Sequence, residues 1–226
     1  MRTPGDTTAF HQASIDLLAG EVMGIAYSGF RQGQYPDRGD GAVNPDSAEI
    51  NEDLDILLRH GFRLLRLYDS GENSEVVLKL IRERQLPIKV LLGMWTKAEV
   101  SNHEGCPWCE EPITPETLAE NARMNDAEVA RGIKLANEYT DIVVAVNVGN
   151  EALVDWNDHM LTLDSAIEYV RRVKAAIVQP VTVADNYLWW VKDGSALAAE
   201  VDFIGVHSYP LWEHKTIGFS SFCSTA

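Results

Sequence analysis

Six times along this chain a short apolar run gives way to a polar or helical segment, and that alternation constrains the fold more than any other feature. The runs are VMGIAYSGF (22–30), FRLLRLYDS (62–70), IKVLLGMW (88–95), DIVVAVNVGNE (141–151), VTVADNY (181–187) and VDFIGVHSYP (201–210). Segment 47–61, SAEINEDLDILLRHG, places Ile50, Leu54, Leu57 and Leu58 on one helical face, with Ser47 expected to cap its start and Gly61 to close it. Further helices are expected over 74–85, over about 118–139, over 164–177 with Asp164 as cap, and near 194–200. Runs that are apolar nearly throughout suit parallel strands covered by helices on their outer face.

Two architectures meet that pattern: a doubly wound open sheet and a barrel. The first predicts a glycine-rich phosphate loop after the first strand, yet GIAYSGFRQGQ holds neither G-x-G-x-x-G nor a Walker lysine. The expected fold is therefore α/β, an incomplete (β/α)8 TIM-barrel type with about six β/α units. One domain is expected over 1–226, with an atypical tail at 216–226.

Composition narrows the partners. A formal net charge of -15 repels phosphate backbones and anionic membrane faces, so nucleic acid and membrane are excluded as expected partners. No stretch approaches the roughly 18–20 apolar residues of a membrane span. The start, MRTPGDTTAFHQ, lacks the apolar core of a signal peptide, which leaves the compartment open: the chain is cytoplasmic, or secreted with its leader removed. There are three cysteines, Cys106, Cys109 and Cys223. CPWC (106–109) has redox or zinc spacing, but it lacks a second Cys/His pair and does not open a helix after a strand. It reads as two incidental cysteines in a loop. No metal and no cofactor are expected.

In a barrel the site lies at the carboxyl ends of the strands. Polar residues end the runs here: Tyr27, Arg66, Tyr68, Asp69, Asn150, Glu151, Asp185, Asn186, His207 and Tyr209. All six tryptophans, Trp95, Trp108, Trp156, Trp189, Trp190 and Trp212, follow an expected strand and avoid the expected helices. Indole rings offer an apolar face and a polar edge, which matches the C–H faces of sugars. VAVNVGNEAL (144–153) stands out because an apolar run ends on an amide and a carboxyl group. A carboxyl group at the mouth of an apolar barrel is a candidate proton donor. The bland alternatives are a buried Glu151 paired with Arg66, and a His207 satisfied at the rim.

With these residues in place, the chain resembles glycoside hydrolase family 17, whose members act on β-1,3-glucan and belong to a large retaining clan of (β/α)8 barrels. The resemblance rests on GIAYSGFRQGQYP, LLRLYDSGENSE, VLLGMW, AVNVGNEAL, VTVADNY and VDFIGVHSYPLWE, in family order over about 22–215. It implies that Glu151 is the general acid/base, that Asn150 contacts the sugar 2-hydroxyl, and that Tyr27 and Tyr209 line the same subsite. Arg66, Tyr68, Asp185, Asn186, Trp156, Trp190 and Trp212 complete the expected β-glucan site. The implied nucleophile is a Glu ending a seventh strand in a segment like TEAGW; the chain instead runs WEHK and then TIGFSSFCSTA. Glu104 and Glu213 lie on loops where the family places no nucleophile. The expectation is a truncated clone or shifted frame, with strands seven and eight missing. Exposed sheet edges would then favour self-association. Two other functions stay open: a glucan-binding fragment without catalysis, and a clan member acting on mannan or xylan.

Overall fold

Six strands, all parallel and all in chain order, form the sheet of the computed structural model, which describes residues 22–37 and 41–209. They are β1 (Gly24–Ala26), β2 (Leu64–Arg66), β3 (Lys89–Met94), β4 (Val143–Asn150), β5 (Val181–Asn186) and β6 (Gly205–His207). The helices are α1 (Ser47–Arg59), α2 (Glu72–Glu83), α3 (Pro115–Glu138), α4 (Leu163–Ala176), α5 (Tyr187–Lys192) and α6 (Ser195–Ala198). Sequential parallel pairing with a helix in each crossover curls the sheet into an incomplete (β/α) barrel, as expected. Among the described residues β1 pairs only with β2, and β6 only with β5. Trp212, Glu213, Cys223 and the tail 216–226 lie outside the described residues, as does the N-terminal segment 1–21.

Strand side chains alternate between two faces, and the helix-facing row makes the core. Leu65, Val90, Leu92, Met94, Val146 and Val183 pack there against Ile50, Leu54, Val77, Ile81, Val129 and Val170. Each such burial contributes about 1.5–3 kcal/mol. The opposite row carries Arg66, Asn150, Asn186 and His207 at the carboxyl rim, while Asp185 shares the face of Val181 and Val183.

Two helix starts differ from expectation, for one reason. The α1 cap is Asp46, not Ser47: its carboxylate accepts from the N–H of Ala48 (2.8 Å) and Glu49 (2.9 Å), while Glu49 accepts from the Asp46 N–H (2.9 Å). That reciprocal box satisfies more orphan donors than a lone Ser47 hydroxyl could. Likewise Thr162 caps α4 by accepting from Ser165 N–H (3.0 Å), and Asp164 sits in the first turn instead. Gly61 closes α1 as expected, with φ +87°, and lets Phe62 N–H reach Leu57 O (3.0 Å).

The strands are shorter than the apolar runs because the last residues of several runs leave the ladder to serve neighbouring helices. Asp69 accepts from Gly71 N–H and Ser74 Oγ–H (both 2.9 Å), fixing the start of α2. Tyr187–Lys192 forms a helix, so Tyr187 opens α5 where the fifth apolar run was expected to continue. Asn186 caps it by accepting from Leu188 N–H (2.9 Å).

Candidate active site

β4 ends irregularly. Its pairing with β5 slips between Asn147 and Asn150. Gly149 takes φ +86°, a conformation that glycine adopts without a steric penalty, and Asn147 Nδ2 donates to its carbonyl (2.7 Å). Glu151 also lies in the left-handed region, at φ +50°, which costs a side-chain-bearing residue about 1–2 kcal/mol. Its backbone is clamped on both sides: its N–H donates to Ala184 O (2.8 Å) and its carbonyl accepts from Asn157 Nδ2 (2.6 Å). An observed strain held by this many bonds fits a functional position. Asn150 thus remains in register with Ala184 as the last residue of β4, and Glu151 leaves the sheet directly after it, aimed by the bulge.

Arg66 organises the space above them. Its Nη2 donates to Asn150 Oδ1 (2.5 Å) and its Nη1 contacts His207 Nε2 (3.2 Å). The guanidinium lies 4.8 Å over the Tyr68 ring. Burial pushes its pKa down, against the opposing influence of Tyr68, Tyr209 and Glu151. A guanidinium can only donate, so His207 Nε2 accepts and the ring proton sits on Nδ1. That nitrogen stands 3.0 Å from Glu151 Oε1, within ion-pair range but off the line of a hydrogen bond. The Glu151 and His207 side chains are 15% and 13% exposed, nearly withdrawn from water. Arg66 thus binds the amide and the imidazole, and its contact with Glu151 is electrostatic, unlike the simple Arg66–Glu151 pair considered from sequence.

Tyr209 and Asp185 complete the surroundings. Burial and the Glu151 charge raise the Tyr209 phenol, whose hydroxyl also hydrogen-bonds Glu151. Its ring lies 6.0 Å from His207. Asp185 is fully buried; its oxygens accept from Leu153 N–H (3.0 Å) and Asn186 N–H (2.7 Å). Burial pushes its carboxyl up to about 6, the Glu151 charge adding to this and the two backbone donors and His207 opposing it. Asp185 therefore clamps the segment after Glu151.

The tryptophans divide. Trp95 lies 4.8 Å from the His159 ring, and His159 Nε2 meets Asn150 O at 2.8 Å. His159 Nδ1 meets Asp158 Oδ1 (2.8 Å), and Asp158 also accepts from the Trp108 indole (3.1 Å). Trp108 packs edge-on to Trp156 at 6.3 Å. A continuous set of contacts thus joins Trp156, Trp108, Asp158, His159 and Trp95 to the Asn150 backbone. Burial favours protonated Asp158, but the hydrogen bonds from His159 and Trp108 outweigh it and hold the carboxyl below its ordinary value.

Trp189 and Trp190 stand apart, on α5 rather than in a loop. They pack edge-on at 5.2 Å against each other and against the core, and the Trp190 indole donates to Gly205 O (2.9 Å). Tyr27 is also turned elsewhere: its hydroxyl donates to Asp53 on α1 (3.0 Å), and burial followed by the Asp53 charge raises its pKa. Asn186 spends one oxygen as a helix cap.

Sequence reasoning did not single out His159, Asp158, or Glu128. The last is a buried carboxylate of α3 that accepts from Ser70 N–H (2.6 Å) and Trp95 N–H (3.1 Å), tying the rims of β2 and β3 to that helix. The Asp-His pair close behind Trp156 was the available signal for the first two. Among the described residues no group of three or more His, Cys, Asp or Glu side chains could hold a metal ion.

The curled parallel sheet is that of an incomplete (β/α) barrel, and its fourth strand ends on an amide residue, linked through His159 to Trp95, with a carboxyl group directly after it. The chain belongs to the BtgE/BtgC glycoside hydrolase domain family, which it matches over residues 24–221. No curated protein matches it by sequence. Among solved structures it is similar to an endo-laminarinase from Formosa Hel1_33_131, with a TM-score of 0.69 and 25% identity over 86% of this chain and 51% of that one. It also shares its fold with a glycoside hydrolase family 17 β-1,3-glucanosyltransferase from Rhizomucor miehei, at TM-score 0.54 and 19% identity over 85% of this chain and 59% of that one. An active-site mutant of a Rhizomucor miehei β-1,3-glucanosyltransferase, in complex with laminaritriose, matches likewise at TM-score 0.55 and 19% identity, over the same 85% and 59%. The chain thus spans about half the length of the laminarinase.

Proposed function

We propose that this chain acts on β-1,3-glucan as a retaining glycoside hydrolase, by hydrolysis or transglycosylation, with Glu151 as general acid/base. One observation carries the reading: Arg66 occupies Asn150 Oδ1 (2.5 Å) while Glu151 stands beside it, strained and nearly buried. With its oxygen taken, Asn150 presents its amide N–H groups to a substrate oxygen, the role the family 17 resemblance gives it toward the 2-hydroxyl. Glu151 would protonate the leaving oxygen, then activate water or a sugar hydroxyl to release the glycosyl-enzyme. The similar laminarinase and the glucanosyltransferases support glucan as substrate. Trp108 and Trp156 would supply apolar faces, and Tyr68 and Tyr209 would border the cleavage subsite.

A retaining reaction needs a second carboxylate ~5–5.5 Å from the first. Asp185 neighbours Glu151, but its oxygens are engaged by backbone N–H groups and it has no exposed surface. It is a clamp rather than a nucleophile. That observation favours a second reading, in which the chain binds glucan without cleaving it. Laminarin digestion followed by reducing-sugar release tests both. Turnover that falls by about 10²–10⁴ in Glu151→Gln supports catalysis. Affinity without turnover supports binding alone, and the loss of both overturns the glucan assignment. A mannan and xylan panel fixes the substrate class.

A further inference from the structure

CPWC has redox spacing but reads as an incidental pair because it lacks a second Cys/His pair and does not open a helix after a strand; its turn geometry reopens that reading. The Cys109 N–H donates to Cys106 O (3.3 Å), closing a four-residue turn with Pro107 at its second position, where a fixed φ suits the turn. A turn of this kind brings its first and last Cα atoms within ~7 Å, and disulfides span ~4.4–6.8 Å. Both cysteines are free thiols, Cys106 buried and Cys109 partly exposed.

The turn is anchored on one side. Gly105 and Cys106 N–H both donate to Asn102 O (3.2 and 2.9 Å), and Asn102 Nδ2 reaches Asp155 O (3.0 Å) and Asn157 O (2.8 Å) in the loop behind Glu151. Cys106 is buried in that anchor; Cys109 is partly open to solvent. Between them Trp108 stands 57% exposed, with its indole bonded to Asp158 and its ring edge-on to Trp156.

We propose that Cys106 and Cys109 form a reversible thiol–disulfide pair whose oxidised state fixes Trp108 on the aromatic rim. With a small disulfide such as oxidised glutathione, the Cys109 thiolate attacks one sulfur and releases one glutathione thiolate. The Cys106 thiolate then attacks the Cys109 sulfur and expels the second. Two protein protons pass to two glutathiones, so the exchange balances without a metal. The neighbouring Cys106 thiol, then burial and nearby negative charge, push the Cys109 thiol up to about 11. Exchange is accordingly slow near neutrality and rises roughly tenfold per pH unit as thiolate appears.

The test uses the full chain, incubated over a glutathione redox series at pH 7.5 and 8.5, acid-quenched, alkylated and mapped by mass spectrometry. The expected result is a 106–109 bridge with Cys223 still alkylated, formed faster at the higher pH. Cys106→Ser should stop at a mixed disulfide on Cys109. Both thiols remaining alkylatable at the most oxidising ratio, or bridging to Cys223, overturns the pair. Tryptophan emission follows the rim: oxidation should change it in the native chain and not in Trp108→Phe. A bridge with unchanged emission overturns the positioning of Trp108. No glucan activity enters the readout, so this result stands or falls apart from the proposed function.

Discussion

The middle of the sheet and its two ends are built differently. β3, β4 and β5 have six, eight and six residues, nearly all buried, with a ladder on each side. β1 and β6 have three residues each, exposed or half-buried, with one ladder. The site straddles this division. Asn150 and Glu151 come from β4 and are braced by Ala184 and Asp185 of β5. His207 and Tyr209 arrive from the far end and meet Arg66 and Glu151 in the cleft. A proton donor gains from rigid placement, and the middle strands supply it; the end strand supplies partners that can adjust.

The largest expected effect breaks the middle. Leu92 of β3 is fully buried between sheet and helices. Leu92→Ala should lower stability by about 2–5 kcal/mol in urea unfolding. A loss under 1 kcal/mol would mean that the central core is looser than the structure shows.

The next sharpens the brace. Asp185 rises from 3.8 to about 6 on folding, through burial first. A carboxyl with a higher pKa in the folded state binds its proton more tightly there. Its stabilising protonation is therefore complete below pH ~4, and is lost as pH climbs through about 6. Asp185→Asn cannot titrate, and it leaves one of the two backbone N–H groups facing an amide NH2. From pH 7 down to pH 4, wild type should gain on the variant by roughly 2–3 kcal/mol in paired urea titrations. Parallel curves would show that Asp185 is hydrated rather than sealed.

Much of this architecture was readable because burial on both faces writes itself as uninterrupted apolar runs. Strand order followed from the crossovers, and Gly61 and the Asn150–Glu151 ending stood out against their surroundings. What stayed hidden depended on choices between near-equals or on distant partners. Asp46 and Ser47 are both good caps, and the Glu49 box decides between them. The side to which Tyr27 turns is set by Asp53, far along the chain on α1. YLWWV is as compatible with a strand or loop as with a helix, until Asn186 caps it and Trp190 reaches Gly205. The Trp108–Asp158–His159 link joins two loops, and no periodicity records that.

Arg66 joins the two regions, so its replacement should loosen the end and spare the middle. Lysine cannot serve Asn150 and His207 at once from a planar fork. Arg66→Lys should cost about 1 kcal/mol of stability. It should also release the His207 tautomer: imidazole ¹⁵N shifts that report Nδ1–H in wild type should move toward a mixture with Nε2–H. An unchanged tautomer would assign the orientation of His207 to Glu151 instead.

The smallest effect belongs to the end strand itself. Val206 of β6 is 54% exposed although it sits mid-strand, on the side where β3 and β4 bury their valines and leucines. A side chain already meeting water loses little when it is made polar, so Val206→Lys should leave the urea midpoint within about 0.5 kcal/mol of wild type. Among the described residues β6 pairs only with β5, and lysine on such an edge discourages strand pairing between molecules. If that edge brings copies together, sedimentation velocity across a concentration series should show less association in the variant. A fall in stability above 1.5 kcal/mol would instead show that Val206 is packed in solution. The end of the sheet would then be as well covered as its centre, and the contrast between fixed donor and adjustable partners would lose its basis.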